Sequence, residues 1–360
     1  MNLSEHLSMK AKLQHIQAHV SYDIEDVIEK ICSRSRESIR ELKYAKILFT
    51  GATGFFGFWF LKVFVYLYEK KYFRGEIYIV TRDSENLSSN FLGIDKLNWV
   101  HIIEDDISKV NLNHLSPDHL IHFASTSAME TFNNIQQISK LDTLYFGTKN
   151  IFEQCGSSLQ KVLFASSGVA YGHIAGETRI SEKNYSIINS QEEKFGLCLA
   201  KLAAEFQINQ YSKKFRFNYS IARCFSFAGE FMPLELHYAF GNFINDALNS
   251  RSITVHGDGT ATRSYMYIGD AIEWFLTLLA KPKNEIINVG SDQMVTIKEI
   301  AEVIADKANT NALMLDVSDD EGNFSRSVYV PDLEKIQRLY PELQISTDWE
   351  TIIERMLKTL

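Results

Sequence analysis

From Ala45 onward, short apolar runs alternate with longer stretches of helical character. Lys46–Thr50 reads as a first strand, and the stretch 55–71 behind it as a helix. EIYIVT at 76–81 predicts a second strand and 99–103 a third. LIHFA at 120–124, KVLFAS at 161–166 and YSIAR at 219–223 predict a fourth, fifth and sixth. Apolar strands separated by helices predict a parallel sheet covered on both faces. Right-handed crossovers then give a doubly wound α/β order. Upstream, Ile24, Val27, Ile28 and Ile31 recur at helical spacing among Glu25, Glu29 and Lys30, so residues 1–43 read as an amphipathic helical extension. Its simplest use is packing or a dimer contact; a lid is the sharper alternative. The last third is more mixed, with short strands at 253–256 and 285–289 and helices at 297–308 and 348–359.

Charge and cysteine content narrow the class. A chain of 360 residues can bury roughly three quarters of its unfolded surface. The formal charge of −8 argues against nucleic acid or an acidic lipid surface as a general partner. The four cysteines, Cys32, Cys155, Cys198 and Cys224, have neither zinc nor disulfide-framework spacing, so no metal is expected and a reducing cytoplasm is the simplest location. The opening residues have no apolar signal-peptide core. Ile47 to Tyr68 is long enough to span a bilayer and carries only Lys62 as a charge, but Gly51, Gly54 and Gly57 make a strand, turn and buried helix the better reading, so no membrane partner is expected.

Gly51-Ala-Thr53-Gly54-Phe55-Phe56-Gly57 follows the first strand and opens a helix. Glycines permit a tight turn and close approach of backbone to a pyrophosphate, and the helix N-terminus offers free amides and a positive dipole end. In strand–turn–helix context the GxxGxxG spacing points to a Rossmann dinucleotide site. The second strand ends Thr81-Arg82-Asp83. An acid here suits the ribose 2′-OH of NAD and an arginine the 2′-phosphate of NADP; Arg82 stands nearer the strand, which tilts the expectation slightly to NADP.

These motifs and those that follow them in order make the chain similar to the extended short-chain dehydrogenases/reductases, the NAD-dependent epimerase/dehydratase family acting on nucleotide sugars. The resemblance covers 45–345 and is carried by GATGFFG (51–57), DDI (105–107), HFAS (122–125), GTKN (147–150), SSGVAYG (166–172), AKLAAE (200–205), RCFSFAG (223–229), HGDGTATRSYMYIGDA (256–271), INVGS (287–291) and VPD (330–332). Behind the helical extension read over 1–43, it implies an NAD(P)-binding Rossmann domain over 44–225 and a mainly nucleotide-sugar domain over 226–360. It places Gly51, Thr53, Gly54, Phe55, Phe56, Gly57, Arg82, Asp106, Ile107, Ala124 and Lys201 at the cofactor, with Asp106-Ile107 at the adenine, and Ser125 and Ser167 toward the substrate. The phrase PLELHYAFGNFINDAL (233–248) resembles a bacterial subgroup of surface-polysaccharide sugar pathways.

The resemblance breaks at the catalytic pair. The family uses a Ser/Thr, here Ser167, together with Tyr-x-x-x-Lys. AKLAAE makes the lysine Lys201, and four residues earlier stands Leu197. Phe195 does not rescue the match, having no hydroxyl. Dehydratase members carry Asp-Glu after the Ser/Thr; here stand Gly168 and Val169, which argues against 4,6-dehydration because proton removal and leaving-group protonation both need titratable groups. His173, Tyr185, Glu193, Lys194 and Cys198 remain as candidate replacements.

At the nucleotide-sugar end, Arg263 falls where the family grips a diphosphate, Arg326 reads as a second clamp, and Asn242 as a nucleotide-contacting amide. Ser226 replaces the asparagine of the RxFN motif. The expected activity is hydride chemistry on a nucleotide-diphosphate sugar, as epimerase, reductase or dehydrogenase. The rival is a non-catalytic NAD(P)-binding sensor or pseudo-enzyme. The resemblance also implies a homodimer formed by helices near 134–154 and 196–213.

Overall fold

The computed structural model describes residues 21–91, 93–125, 136–173, 179–185, 188–234, 238–315 and 328–358. Its centre is a seven-stranded parallel sheet of β1 (Lys46–Thr50), β2 (Glu76–Thr81), β3 (Val100–Glu104), β4 (His119–His122), β5 (Lys161–Ser167), β6 (Asn218–Cys224) and β7 (Glu285–Val289), in the order β7-β6-β5-β4-β1-β2-β3. The chain winds outward from β1 through β2 to β3, then returns to β4 on the other side. That reversal leaves a crevice at the carboxyl ends of β1 and β4, where doubly wound sheets take their ligands.

The predicted strands all form, with small shifts at β3 and β4. The first helix, Phe55–Glu69, stops short of the expected 71 because Lys70 caps it and Lys71 turns left-handed at φ 66°. Glu285–Val289, expected only as part of the mixed last third, pairs with β6 and extends the main sheet. The Ile268–Ala280 helix has every residue buried, its polar Asp270, Glu273 and Thr277 meeting Arg34 and Ser38 of the preceding helices rather than solvent. It lies with Phe55–Glu69 on one sheet face, while Gln137–Cys155 and Gly196–Phe215 cover the other.

The Ser21–Arg34 helix adds a further layer outside the first pair. Ile24, Val27, Ile28 and Ile31 are buried in the main core. Arg34 Nη1 lies 3.3 Å from Glu273 and 3.5 Å from Asp270, both buried on the Ile268–Ala280 helix. Burial pushes the Glu273 carboxyl up to about 7, against the pull of Arg34. The part of the extension from 21 to 43 therefore packs, residues 1–20 lying outside the described residues, and Arg34 supplies the countercharge to two acids that the layer above buries. Among the described residues, no helix is long and apolar enough to cross a membrane.

A smaller sheet stands beyond the carboxyl ends of the main strands' later members. Thr262–Arg263 is its middle strand, antiparallel to Val295–Thr296 and parallel to Val328–Tyr329, with Arg263 directly opposite Tyr329.

Candidate functional site

The three glycines of the turn answer to different neighbours. Gly51 has φ +78°, and a Cβ there would lie 2.5 Å from the carbonyl carbon of Phe123 behind β4. A Cβ on buried Gly57 would overlap the Gly51 carbonyl oxygen and the Ala52 backbone. Both are glycines because the turn itself leaves no room. Gly54 differs. It is exposed, has ordinary extended dihedrals (φ −82°, ψ 174°), and a Cβ would meet only the Gly51 oxygen at 3.4 Å. Nothing in the protein demands a glycine there, whereas a group docking on the helix N-terminus would. Gly54 caps that helix with no side-chain hydrogen bond, and the helix N-terminus follows directly on β1 beside the crevice. The residues fit a dinucleotide pyrophosphate. Thr53 is exposed beside Gly54, and Phe55 is half-buried. Phe56 turns inward instead, its ring 4.9 Å from Phe227 and 5.2 Å from Phe275, so only its backbone faces the turn.

Along β2 and β3, the Asp83 carboxylate accepts from the Asn86 amide at 2.8 Å and caps the helix Ser84–Asn90. Arg82 is exposed at the strand end. Asp106 accepts from the Ser108 hydroxyl and amide. These bonds, with Arg82 and Lys109 nearby, outweigh the effect of burial and hold its carboxyl below the usual range. Ile107 is buried where Gly147 makes space, and Asn150 donates to the carbonyls of Ile107 and Val110. GTKN is thus the clamp that shapes the turn after β3.

His122 and Thr50 tie the crevice floor together. Thr50 Oγ1 meets His122 Nδ1 at 2.8 Å, His122 Nε2 meets Thr148 Oγ1 at 2.9 Å, and the Ala124 amide donates to Thr50 Oγ1. Burial, with Lys201 nearby, pushes the imidazole down to about 3, so it is a neutral strut. Ser125 follows, half-buried. Lys201 is buried under the same floor. Its Nζ donates to the Ala165 carbonyl at 2.7 Å and sits 5.0 Å above the Phe164 ring; burial pulls it down to about 8. Leu197 lies one turn earlier on the Gly196–Phe215 helix, half-buried against the core. Ser167 ends β5, and its Oγ accepts from the Val169 amide at 3.2 Å.

Two motif residues that sequence reading left without a role form a buried brace. Glu205 pairs bidentately with Arg223, at 3.0 and 2.7 Å, and accepts from the Ser166 hydroxyl at 2.5 Å. Arg223 lies over the Tyr171 ring, whose hydroxyl donates to Asn288. Charged residues inside AKLAAE and RCFSFAG were the available signal: fully buried charges need partners.

On the far side of the pocket, Arg263 is half-buried and donates to the Thr262 carbonyl. Its strand partner Tyr329 reaches across to β5, where a Cβ on Gly168 would overlap the Tyr329 hydroxyl. Ser167, Gly168, Tyr329 and Arg263 are therefore gathered, whereas Asn242 projects as an exposed side chain on the Ala239–Leu248 helix. Arg326 lies outside the described residues. Of the five candidate replacements, His173, Glu193 and Lys194 are exposed and Tyr185 is 99% exposed. Cys198 is buried with its thiol toward the Ala170 carbonyl.

The likeness to known proteins agrees with this arrangement. Residues 47–290 match the NAD dependent epimerase/dehydratase family. The chain is 26% identical over 318 residues to UDP-glucuronic acid decarboxylase 1 of Danio rerio, covering 82% of this chain and 72% of that protein. It is 28% identical over 279 residues to dTDP-D-glucose 4,6-dehydratase of Dictyostelium discoideum, covering 73% and 62%. The solved UDP-glucuronic acid 4-epimerase of Bacillus cereus, in complex with UDP-glucuronic acid and NAD, superposes with a TM-score of 0.72 over 87% of this chain and 98% of that one at 22% identity, which shows the shared fold. The family match spans well over half the molecule and contains the whole glycine turn and main sheet, so the chain belongs to the NAD dependent epimerase/dehydratase family.

Proposed function

We propose that this protein holds NAD or NADP against the glycine turn and a nucleotide-diphosphate sugar between the end of β5 and the strand Thr262–Arg263. We assign it epimerase, reductase or dehydrogenase chemistry at a ring carbon, and a place in surface-polysaccharide sugar synthesis on the resemblance of 233–248. The observation carrying the reading is that Gly168, next to Ser167 at the end of β5, packs on Tyr329, the strand partner of Arg263, although the segments are distant in sequence. The nicotinamide supplies a reversible two-electron hydride acceptor. Gly54, Thr53 and the first-turn amides hold its pyrophosphate, and Asp106-Ile107 the adenine. The slight preference for NADP rests on Arg82 standing nearer the strand end than Asp83, where a 2′-phosphate would lie. Lys201, a buried donor poised near neutrality, orients the nicotinamide ribose; Ser167 polarises the sugar oxygen; Arg263, joined by Arg326, grips the diphosphate, and Asn242, exposed on a separate helix, contacts the nucleotide. The division into a cofactor part over 44–225 and a mainly substrate part over 226–360 follows this assignment, with β7 returned to the cofactor sheet. The location is cytoplasmic.

Leu197 favours one rival, a non-catalytic NAD(P) sensor. A panel of UDP-, GDP-, CDP- and dTDP-linked sugars separates them. At a hundredfold excess over Kd one should stabilise the protein by ~2.7 kcal/mol. A panel in which none shifts the melting temperature while NAD or NADP does would leave the sensor.

A further inference from the structure

Gly168 faces a phenol. A Cβ on residue 168 would stand 2.9 Å from the Cζ of Tyr329 and overlap its hydroxyl, so the hydroxyl occupies the space of a side chain directly after Ser167. Three features fix it there. The Tyr329 backbone is in register with Arg263. Its ring lies 4.8 Å from that of Phe225. The following residue, Val330, accepts at its carbonyl from the Ile180 amide. Burial pulls the half-buried Arg263 guanidinium down, and the neighbouring Tyr265 and Tyr329 phenols offset part of that. Nearby, the Tyr171 hydroxyl donates to Asn288, the Cys198 thiol points to the Ala170 carbonyl and the Lys201 ammonium donates to the Ala165 carbonyl.

We propose that Tyr329 touches the sugar and exchanges a proton with its reacting hydroxyl, the task for which Leu197 has no group. This rests on the nucleotide-sugar reading above. As the ring carbinol is oxidised, its C–H electron pair leaves as hydride to an oxidised nicotinamide. Its O–H proton passes to the Tyr329 phenolate oxygen, and a C=O bond forms; the reverse step returns both. The phenol enters from the small sheet rather than from the helix that carries Lys201. Residue 168 is glycine because any side chain there would displace the hydroxyl from the pocket.

Tyr329→Phe removes only the oxygen. The probes are the tightest-binding of UDP-, GDP-, CDP- and dTDP-glucose and the matching nucleoside diphosphate. The variant should keep its melting temperature and its affinity for the diphosphate, bind the sugar nucleotide several-fold more weakly, and lose ~10²–10⁴ in turnover together with one limb of the pH profile. Gly168→Ala should reproduce the sugar-specific loss by displacing the phenol. Equal weakening of both ligands would place Tyr329 on the diphosphate and overturn the proposal, as would unchanged sugar affinity and turnover. Wild-type protein that binds neither probe fails at the earlier step, the nucleotide-sugar reading, and takes this inference with it.

Discussion

Gly54 and Gly57 differ in what a side chain would strike, and that difference can be measured. A valine at 57 collides with the backbone of the turn and should cost the fold itself. A valine at 54 meets almost nothing inside the protein, and its extended dihedrals suit a β-branched residue. Gly54→Val should therefore melt within a few degrees of wild type, as replacing a glycine N-cap by valine costs about 1 kcal/mol. It should nevertheless lose at least ~100-fold in NAD(P) affinity, because the branched side chain fills the pyrophosphate's approach. Gly57→Val should be markedly less stable with or without cofactor. Titration of a folded Gly54→Val protein that binds NAD(P) as wild type does would remove the crevice from the account. The glycine spacing was legible in sequence, but the separate duties of its members were not, since those depend on which backbone lies behind each Cα. Leu197 at i−4 from Lys201 was readable for the same reason as any helical spacing. Tyr329 was not: its contact with Gly168 joins positions about 160 residues apart through a strand only two residues long.

The elements divide in the same way. Alternating apolar strands and helices announced six strands of the sheet, because a strand buried on both faces needs little context to be recognised. Glu285–Val289 was visible as a strand, yet nothing in five residues says which strand it pairs with. Ile268–Ala280 was not read as a helix, although Asp270, Glu273 and Thr277 recur at helical spacing; that polar side meets the N-terminal helices instead of water. Gln137–Cys155 and Gly196–Phe215 pack tightly on each other, a Cβ on Gly196 falling 2.5 Å from Gln137 Cβ. Their outer sides leave Phe206 at 66% exposure, Ile138 at 57%, Phe146 at 49% and Tyr145 at 41%. Large apolar side chains gathered on one helical pair mark an interaction surface. We assign it to a homodimer with these helices paired about a two-fold axis. Light scattering at micromolar concentration should give twice the chain mass for wild type and the single chain mass for Phe206→Glu, with the melting of the isolated fold little changed. A monomeric wild type would contradict the assignment.

At the scale of the whole molecule, three contributions converge on one pocket. The doubly wound sheet supplies the crevice, the small sheet brings Arg263 and Tyr329 over the end of β5, and the N-terminal helix stiffens the layer behind the glycine turn through its core contacts and Arg34. On the proposed function, the first two would serve as a cofactor cleft and a substrate clamp, the parts a reversible hydride transfer on a tethered sugar requires. A structure kept only to sense NAD(P) needs the cleft alone. The decisive measurement follows hydrogen. Wild-type protein is incubated with NAD or NADP and a bound nucleotide sugar deuterated at each ring carbon in turn, and the label is followed by mass spectrometry. The account predicts that one position passes deuterium to the cofactor or exchanges it through a transient ketone. Protein that binds both ligands yet moves no label from any ring position would contradict it.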